Sequence, residues 1–128
     1  MSTTEQSDQP QAAALVPGGA QHVNWGAVPV ERPSEGIERQ MVVGERMMTC
    51  RFRFAPHLVT PEHSHPHEQV VNMLDGELEM VVDGVRHPLR AGDVLTIPGG
   101  SVHSGRSLTP CRVLDVFYPV RMDYKTAE

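Results

Sequence analysis

The sequence predicts an all-β protein, a sandwich or barrel built from short antiparallel strands. Eleven Gly and eleven Pro interrupt a chain of 128 residues, and turn signals recur about every 8 to 10 residues. Short apolar or alternating runs lie between these signals and indicate strands. No helix of useful length is indicated by the apolar pattern. A chain of this length fills one domain, so a second domain is not expected.

Eight segments are predicted to be strands. They are residues 37–43, 46–54, 70–74, 77–82, 85–89, 94–97, 102–104 and 111–118. The dipeptides Asp75-Gly76 and Asp83-Gly84 predict hairpin turns, because Gly tolerates the positive φ that these turns need. The segment between Pro56 and Pro61 is predicted to be a loop.

The strand over residues 46–54 shows the clearest alternation. Met48, Cys50, Phe52 and Phe54 fall on one face of an extended chain, and Arg51 falls on the other with Arg53. This pattern predicts a strand with one apolar face packed on the core and one face turned to solvent or to a partner.

Charge and composition exclude several classes of function. The chain has 11 Lys and Arg against 16 Asp and Glu, a net charge of −5, and no basic cluster, so nucleic acid is not an expected partner. No apolar run approaches the roughly 20 residues of a membrane helix. Residues 1–22 are predicted to be a flexible tail without signal-peptide regions, followed by a domain over residues 23–128. Two cysteines, Cys50 and Cys111, are too few for a disulfide scaffold, so a cytoplasmic location is expected.

Three histidines form the most informative pattern. His63 and His65 are two residues apart, so both side chains leave an extended chain on the same side and can face one cation. Taken alone, the pair favours an exposed surface over a metal site. A further histidine, His103, follows a predicted strand and a Pro-Gly turn far downstream.

These segments resemble the two motifs of the cupin superfamily. The first motif is matched by His63, His65, Gln69 and Gly76, with Gln where Glu is usual; the second is matched by Gly92, Pro98, Gly100 and His103, with Ser107 in place of its terminal Asn. The resemblance implies a single-domain jelly-roll barrel, also called a double-stranded β-helix. It further implies that His63, His65, Gln69 and His103 bind one divalent ion, which is Zn, Ni, Fe, Mn or Co.

Alternatives remain at this predicted centre. His67 shares the parity of His63 and His65 and is a second candidate for the fourth ligand, although Pro66 indicates a turn before it. Three imidazoles and an amide add no negative charge, so a dication would keep its full charge and act as a strong Lewis acid. A metal that serves folding without catalysis fits the same residues.

The segment after the last predicted strand narrows the function. Asp115 and Phe117 are two apart and can face inward together, and an Asp among Val and Leu is costly to bury without a partner. An Asp that bonds backbone at a strand end is the other interpretation. Residues 63–69 with residues 115–121 resemble the KdgF family of small cupins, in which Gln at the fourth ligand position is typical.

The KdgF resemblance implies an isomerase of pectin and alginate breakdown, which converts 4,5-unsaturated uronates to linear 5-keto-4-deoxyuronates. By the same resemblance, Asp115, Phe117 and Arg121 are functional positions. Arg121 would then bind the substrate carboxylate, Asp115 would move a proton and Phe117 would wall the sugar. A sugar acid is therefore the expected small-molecule partner, and a homodimer is the expected assembly.

Three other functions fit the cupin motifs. They are a metal-dependent dioxygenase, a cyclase or lyase acting on a small organic substrate, and a sugar-acid binder without catalysis.

Overall fold

The computed structural model describes residues 19–126 of the chain. Most of the predicted tail, residues 1–18, lies outside the described residues, so the domain boundary at residue 22 stays a prediction. Within the described range the protein is all β, as predicted. The elements are a 3₁₀ turn (Trp25–Ala27), strands β1 (Glu31–Ser34), β2 (Ile37–Val43), β3 (Met48–Phe54), β4 (Val59–His63), β5 (Glu68–Asp75), β6 (Glu77–Val82), β7 (Val85–Arg90), β8 (Val94–Ile97), β9 (His103–Ser107) and β10 (Cys111–Tyr118), and helix α1 (Met122–Thr126).

The strands form two antiparallel sheets. One sheet has six strands in the order β1-β2-β3-β10-β5-β8, and the other has four in the order β4-β9-β6-β7. Chain neighbours such as β3 and β4 lie in different sheets, so most pairings join segments distant in sequence. This is the jelly-roll arrangement that the motifs imply.

The core lies between the two sheets and is filled by alternate residues of each strand. In β3 the predicted apolar face is confirmed, because Met48, Cys50 and Phe52 are buried. Strand β10 contributes the most deeply buried row, and Val113 and Phe117 on it are almost fully inaccessible. Alternation with period two therefore positions every second side chain of β10 toward the barrel interior.

The N-terminal edge of the domain is held against the outer face of the large sheet. The Gln40 side chain donates hydrogen bonds to the backbone oxygens of Trp25 (2.9 Å) and Val28 (2.8 Å). The Arg51 guanidinium lies 5.5 Å from the centre of the Trp25 indole. Arg51 is thus partly covered by the chain's own Trp, whereas Arg53 is exposed.

One of the two predicted hairpins is wrong. Asp83 and Gly84 both have positive φ (48° and 82°) and join β6 to β7, as predicted. At Asp75-Gly76 the chain instead crosses from the large sheet to the small one, since β5 and β6 do not pair. Gly76 is required there because a Cβ would lie 2.1 Å from the backbone oxygen of Pro110.

Strands β1 and β4 were not predicted, and both contain a proline. Pro33 lies in β1 and Pro61 in β4, and each strand is at the edge of its sheet. An edge strand tolerates Pro because one of its two rows of N–H groups has no neighbour strand. The predicted loop between Pro56 and Pro61 is therefore partly strand. The short helix α1 was also not predicted, and no helix among residues 19–126 is long and apolar enough to span a bilayer.

Candidate metal centre

Three histidines meet where β4 ends and β9 begins. His63 is the last residue of β4, and its register partner in the sheet is His103, the first residue of β9. His65 lies two residues farther along, in the loop between β4 and β5. Antiparallel pairing therefore positions two of the imidazoles as direct neighbours, although they are distant in sequence.

A close backbone contact fixes the third histidine against this pair. The Gly100 N–H donates a 2.8 Å hydrogen bond to the His65 backbone oxygen. At Gly99 a Cβ would lie 2.3 Å from the backbone oxygen of Pro66, so only Gly fits at this position. The two segments that carry the histidines are thereby held together by main-chain atoms.

The three rings are close enough to share one ion. Their centroids are separated by 4.2 Å (His63 to His103), 4.8 Å (His65 to His103) and 5.7 Å (His63 to His65). One ring nitrogen from each lies within 4.8 Å of the other two. His65 and His103 are buried, which reduces competition from water.

Hydrogen bonds determine which ring nitrogen of each histidine faces the centre. Each Nδ1 lies near a backbone oxygen two residues away: His63 with Pro61 (2.9 Å), His65 with His67 (3.1 Å) and His103 with Ser101 (2.9 Å). A carbonyl oxygen only accepts, so Nδ1 carries the proton in each ring and Nε2 carries a lone pair. Metal-binding histidines are commonly oriented in this way.

The Nε2 lone pairs lack a proton donor. His103 Nε2 is buried with no hydrogen-bond partner among the described residues. His65 Nε2 lies 3.1 Å from Gln69 Oε1, which is also an acceptor. Gln69 cannot reverse its amide without losing the 3.0 Å hydrogen bond from its Nε2 to Asp115 Oδ2.

His65 Nε2 and Gln69 Oε1 each point a lone pair at the other, and a cation bound to the two atoms would satisfy both. A proton on His65 is disfavoured, because desolvation and the nearby Arg121 charge lower the pKa of this imidazole to about 4. Desolvation also lowers the pKa of His103. Neutral imidazoles and an amide oxygen are suitable ligands for a divalent transition metal, so these residues fit the metal that the motifs imply.

His67 lies beside the centre and outside the three-histidine cluster. Its ring centroid is 5.4 Å from that of His65. Its Nδ1 is buried and has no hydrogen-bond partner in the described part of the chain. Of the two candidates for a fourth ligand, Gln69 is the one whose oxygen faces a histidine lone pair.

Most of the predicted functional residues line one cavity inside the barrel, whereas His65 and Phe117 are not among its lining residues. Its volume is about 100 Å³. The polar lining residues include His63, Gln69, His103, Asp115, Arg121 and Tyr124. The apolar lining residues are Phe52, Phe54, Val71, Leu78, Met80 and Val113.

Asp115 is the buried carboxyl of this cavity. Its Oδ2 accepts the hydrogen bond from Gln69, and its Oδ1 has no partner among the described residues. Desolvation raises the pKa of Asp115 to about 7, although the Gln69 hydrogen bond and the Arg121 charge act in the opposite direction. A carboxyl with this pKa can both release and accept a proton at neutral pH.

Phe117 packs against both Arg121 and His65. Phe117 is fully buried, its ring meets the His65 ring edge to face at 5.9 Å, and the Arg121 guanidinium lies 5.1 Å from its centre. Arg121 is buried and hydrogen-bonds Asp123 and the Tyr124 hydroxyl. Sequence reasoning missed Asp123 and Tyr124; their position directly after Arg121 was the only available signal.

A small jelly-roll barrel with a cluster of three histidines, two of which line its cavity, is the architecture of a metal-binding cupin. The family model described as Cupin domain matches residues 50–117. The chain belongs to the cupin family.

Within that family the chain is similar to KdgF proteins. It is 31% identical to the pectin degradation protein KdgF of Dickeya dadantii over 100 residues, which is 75% of this chain and 90% of that protein. The structure of KdgF from Halomonas sp. superposes with a TM-score of 0.71 at 27% identity and covers 75% of this chain and 92% of its own. An RmlC-like cupin from Shewanella frigidimarina gives a TM-score of 0.77 at 30% identity, with 82% and 96% covered.

Proposed function

We propose that this protein is a metal-dependent isomerase that opens the ring of 4,5-unsaturated uronate monosaccharides and yields linear 5-keto-4-deoxyuronates. The observation that carries the proposal is the convergence of three groups on one cavity: the three-histidine site, the buried Asp115 and the buried Arg121. The similarity to the KdgF protein of Dickeya dadantii supports the same reaction class.

In this proposal His63, His65, Gln69 and His103 hold one divalent metal. When bound, the metal supplies Lewis-acid stabilisation of negative charge on a substrate oxygen. Because all four ligands are neutral, they do not reduce the charge of the ion.

Arg121 binds the substrate carboxylate. A guanidinium offers two parallel N–H groups to a carboxylate, which fixes the orientation of the sugar as well as its affinity. Because Arg121 is buried, this pair forms away from water, where charge-assisted hydrogen bonds are strongest. Phe117 covers the same site and excludes water from it.

Asp115 moves the proton. The reaction is an isomerisation in which the anomeric hydroxyl loses a proton, the ring C–O bond breaks and C4 gains a proton. The proton that is lost balances the proton that is gained, so one carboxyl can serve both transfers without a co-reactant. Desolvation raises the pKa of Asp115 in the metal-free protein to about 7, well above the ordinary carboxyl value, which favours a carboxyl that can carry the proton between the two transfers.

The test is turnover by the purified, metal-analysed protein. An unsaturated galacturonate monomer should lose its ultraviolet absorbance in the presence of the wild-type protein. Asp115→Asn should lower kcat by at least about 100-fold, because general acid–base catalysis is worth that much. Its metal content should be unchanged, since the Asn oxygen can still accept the Gln69 hydrogen bond.

The matched control is Asp75→Asn, which removes an exposed carboxylate at the end of β5. It should leave kcat unchanged. Full activity in Asp115→Asn would remove Asp115 from the mechanism. No absorbance loss with fully metallated wild-type protein would contradict the proposed reaction.

A second candidate function is favoured by the apolar side of the cavity. Six apolar side chains line the cavity that His63 and His103 also line, which suits a small organic substrate with an apolar face. The candidates are a dioxygenase and a cyclase or lyase. Oxygen uptake by the iron-loaded protein would identify the dioxygenase, and binding of uronates without turnover would identify a sugar-acid binder.

A further inference from the structure

We infer that Asp123 and Tyr124 are positioning residues that hold the Arg121 guanidinium in one orientation for a carboxylate ligand in the cavity. The inference rests on the proposed function to the extent that Arg121 is the carboxylate-binding group. It adds two residues that the predicted site lacks.

The hydrogen bonds of Arg121 leave a defined part of its guanidinium free. Nε and Nη2 donate to the two carboxylate oxygens of Asp123 at 3.2 Å and 2.6 Å, and Nη1 donates to the Tyr124 hydroxyl at 3.0 Å. A guanidinium has five N–H groups. These three bonds leave one N–H on each terminal nitrogen, Nη1 and Nη2, without an acceptor among the side chains described between residues 19 and 124.

Two aromatic rings also contact the guanidinium. The Phe117 ring centre lies 5.1 Å from the Arg121 Cζ atom, and the Tyr124 ring centre lies 4.0 Å from it. Cations over aromatic faces are attracted by the ring quadrupole. Together, three hydrogen bonds and two rings restrict both the position and the rotation of this side chain.

Tyr124 is itself fixed by a second buried arginine. The Arg39 guanidinium lies 4.7 Å from the Tyr124 ring centre, and its Nε donates to Glu31 Oε1 at 3.1 Å. The edge of the Tyr124 ring packs on Phe117, with centroids 5.6 Å apart. These contacts with Arg39 and Phe117 hold the Tyr124 hydroxyl within hydrogen-bonding distance of Arg121.

Exposure distinguishes the two sides of Arg121. The Asp123 side chain is 56% exposed, whereas the Arg121 side chain is 9% exposed and lines the cavity with Tyr124. Asp123 therefore binds Nε and Nη2 from the more exposed side, and we assign the remaining N–H groups of Nη1 and Nη2 to a ligand in the cavity. The Tyr124 hydroxyl accepts from Arg121, so its own proton remains available to the same ligand.

The alternative role for Asp123 is that of a competitor, a carboxylate that occupies the place of the substrate. The two roles predict opposite effects of neutralising it. A positioning residue makes ligand binding weaker when it is removed, and a competitor makes it stronger.

The experiment compares a saturated sugar acid with its neutral parent. Binding of D-galacturonate and D-galactose to the metal-loaded protein is measured by calorimetry for the wild type, Tyr124→Phe and Asp123→Asn. Galacturonate binding should weaken about fivefold in Tyr124→Phe and about tenfold in Asp123→Asn, in line with the loss of one neutral and one charge-assisted contact. Galactose binding should not change.

Two control variants match the chemical changes elsewhere in the chain. Tyr118→Phe alters the other tyrosine, which is half exposed at the end of β10, and Asp75→Asn removes an exposed charge. Neither should change the affinity for galacturonate. With the unsaturated substrate, the two test variants should raise KM more than they lower kcat.

Three outcomes overturn the inference. They are tighter galacturonate binding in Asp123→Asn, equal weakening of both sugars in the test variants, and a wild type that does not prefer galacturonate to galactose. A further combination separates the two proposals: the wild type turns over no unsaturated uronate, but both variants bind galacturonate more weakly than the wild type does. In that case the proposed reaction fails and the positioning role stands.

Discussion

At the scale of single residues, Gln69 connects the two halves of the site. Its amide oxygen faces the histidines, and its amide N–H donates to Asp115. A Glu at this position would put a second carboxylate 3.0 Å from Asp115 Oδ2 in place of that donor, and like charges at this separation repel. The amide therefore adds no charge to the set of candidate metal ligands, and it keeps Asp115 hydrogen-bonded.

The pKa of Asp115 makes a prediction about the stability of the metal-free protein. Its carboxyl has a pKa of about 7 in the folded state against an ordinary value of 3.8. The folded state therefore binds the proton more tightly, and its stability falls as pH rises from about 4 through about 7. Asp115→Asn cannot ionise, so it should raise the Tm of the metal-free protein at pH 8 and leave it nearly unchanged at low pH.

Thermal unfolding of both proteins in the presence of a chelator, from acid to mildly alkaline pH, measures this difference. A Tm difference that shrinks as the pH rises would contradict the assigned direction of the shift.

Arg121→Lys should raise KM for the unsaturated uronate by at least about tenfold. Lys is a point charge without the planar fork, so it cannot make the two parallel hydrogen bonds. It also cannot keep the bonds to Asp123 and Tyr124 at once. Steady-state kinetics on metal-loaded protein test this, and a KM equal to that of the wild type would argue against carboxylate binding by Arg121.

At the scale of elements, the loop after β4 and the turn between β8 and β9 depend on each other. Gly99 touches the Pro66 oxygen, and Gly100 donates to His65. Because these contacts are between backbone atoms, neither segment can move without displacing a histidine.

Gly99→Ala should therefore weaken metal binding by at least about tenfold, since its Cβ would lie 2.3 Å from the Pro66 oxygen and would displace the loop that carries His65. Gly92→Ala is the control, because its φ of +95° is strained for Ala but its Cβ has open space, and it lies in the turn before β8, at the opposite end of that strand from the residue that pairs with Gln69. The control should lower Tm and leave the metal affinity unchanged. Metal titration monitored by calorimetry separates the two effects, and equal metal affinities for both variants would refute the coupling.

Much of this fold was predictable from local patterns, and the exceptions have physical reasons. Alternation in residues 46–54 predicted which side chains of β3 are buried. The spacing of His63 and His65 predicted that both side chains leave the chain on the same side. The crossover at Gly76 was not predictable, because an Asp-Gly step signals a positive φ and not which strands pair afterwards. Strands β1 and β4 were hidden by prolines that only an edge position tolerates.

The candidate site also has a part that was predictable from the sequence and a part that was not. The ligand positions were predicted from the resemblance to the cupin motifs, and Asp115, Phe117 and Arg121 from the resemblance to the KdgF family. The contacts of Tyr124 with Arg39 and Arg121 depend on how the chain end packs against β2, which sequence spacing does not encode.

At the scale of the whole molecule, the metal centre joins both sheets. His63 and His103 belong to the small sheet, whereas Gln69 begins the buried row of β5 in the large sheet. An ion held by these residues would link the two layers across the barrel. The predicted homodimer concerns surfaces outside this centre and stays a prediction.

Removal of the metal should therefore lower the stability of the entire domain. A ligand that binds only the folded state adds about 4 kcal/mol when its free concentration is 1,000 times its Kd. For a domain of this size that corresponds to a loss of at least about 10 °C in Tm on chelation. Scanning calorimetry with and without chelator measures it, with His103→Ala as the control that should show no chelator effect. An unchanged Tm for the wild type would mean that the ion does not bridge the sheets.

The pairing of His63 with His103 across β4 and β9 also has a consequence during synthesis. A nascent chain that has left the ribosome only as far as β8 offers two of the three imidazoles, and a two-imidazole site binds metal weakly. Full ligation has to wait until β9 emerges and closes the barrel. An ion that needs all three imidazoles would therefore bind only to a nearly complete chain.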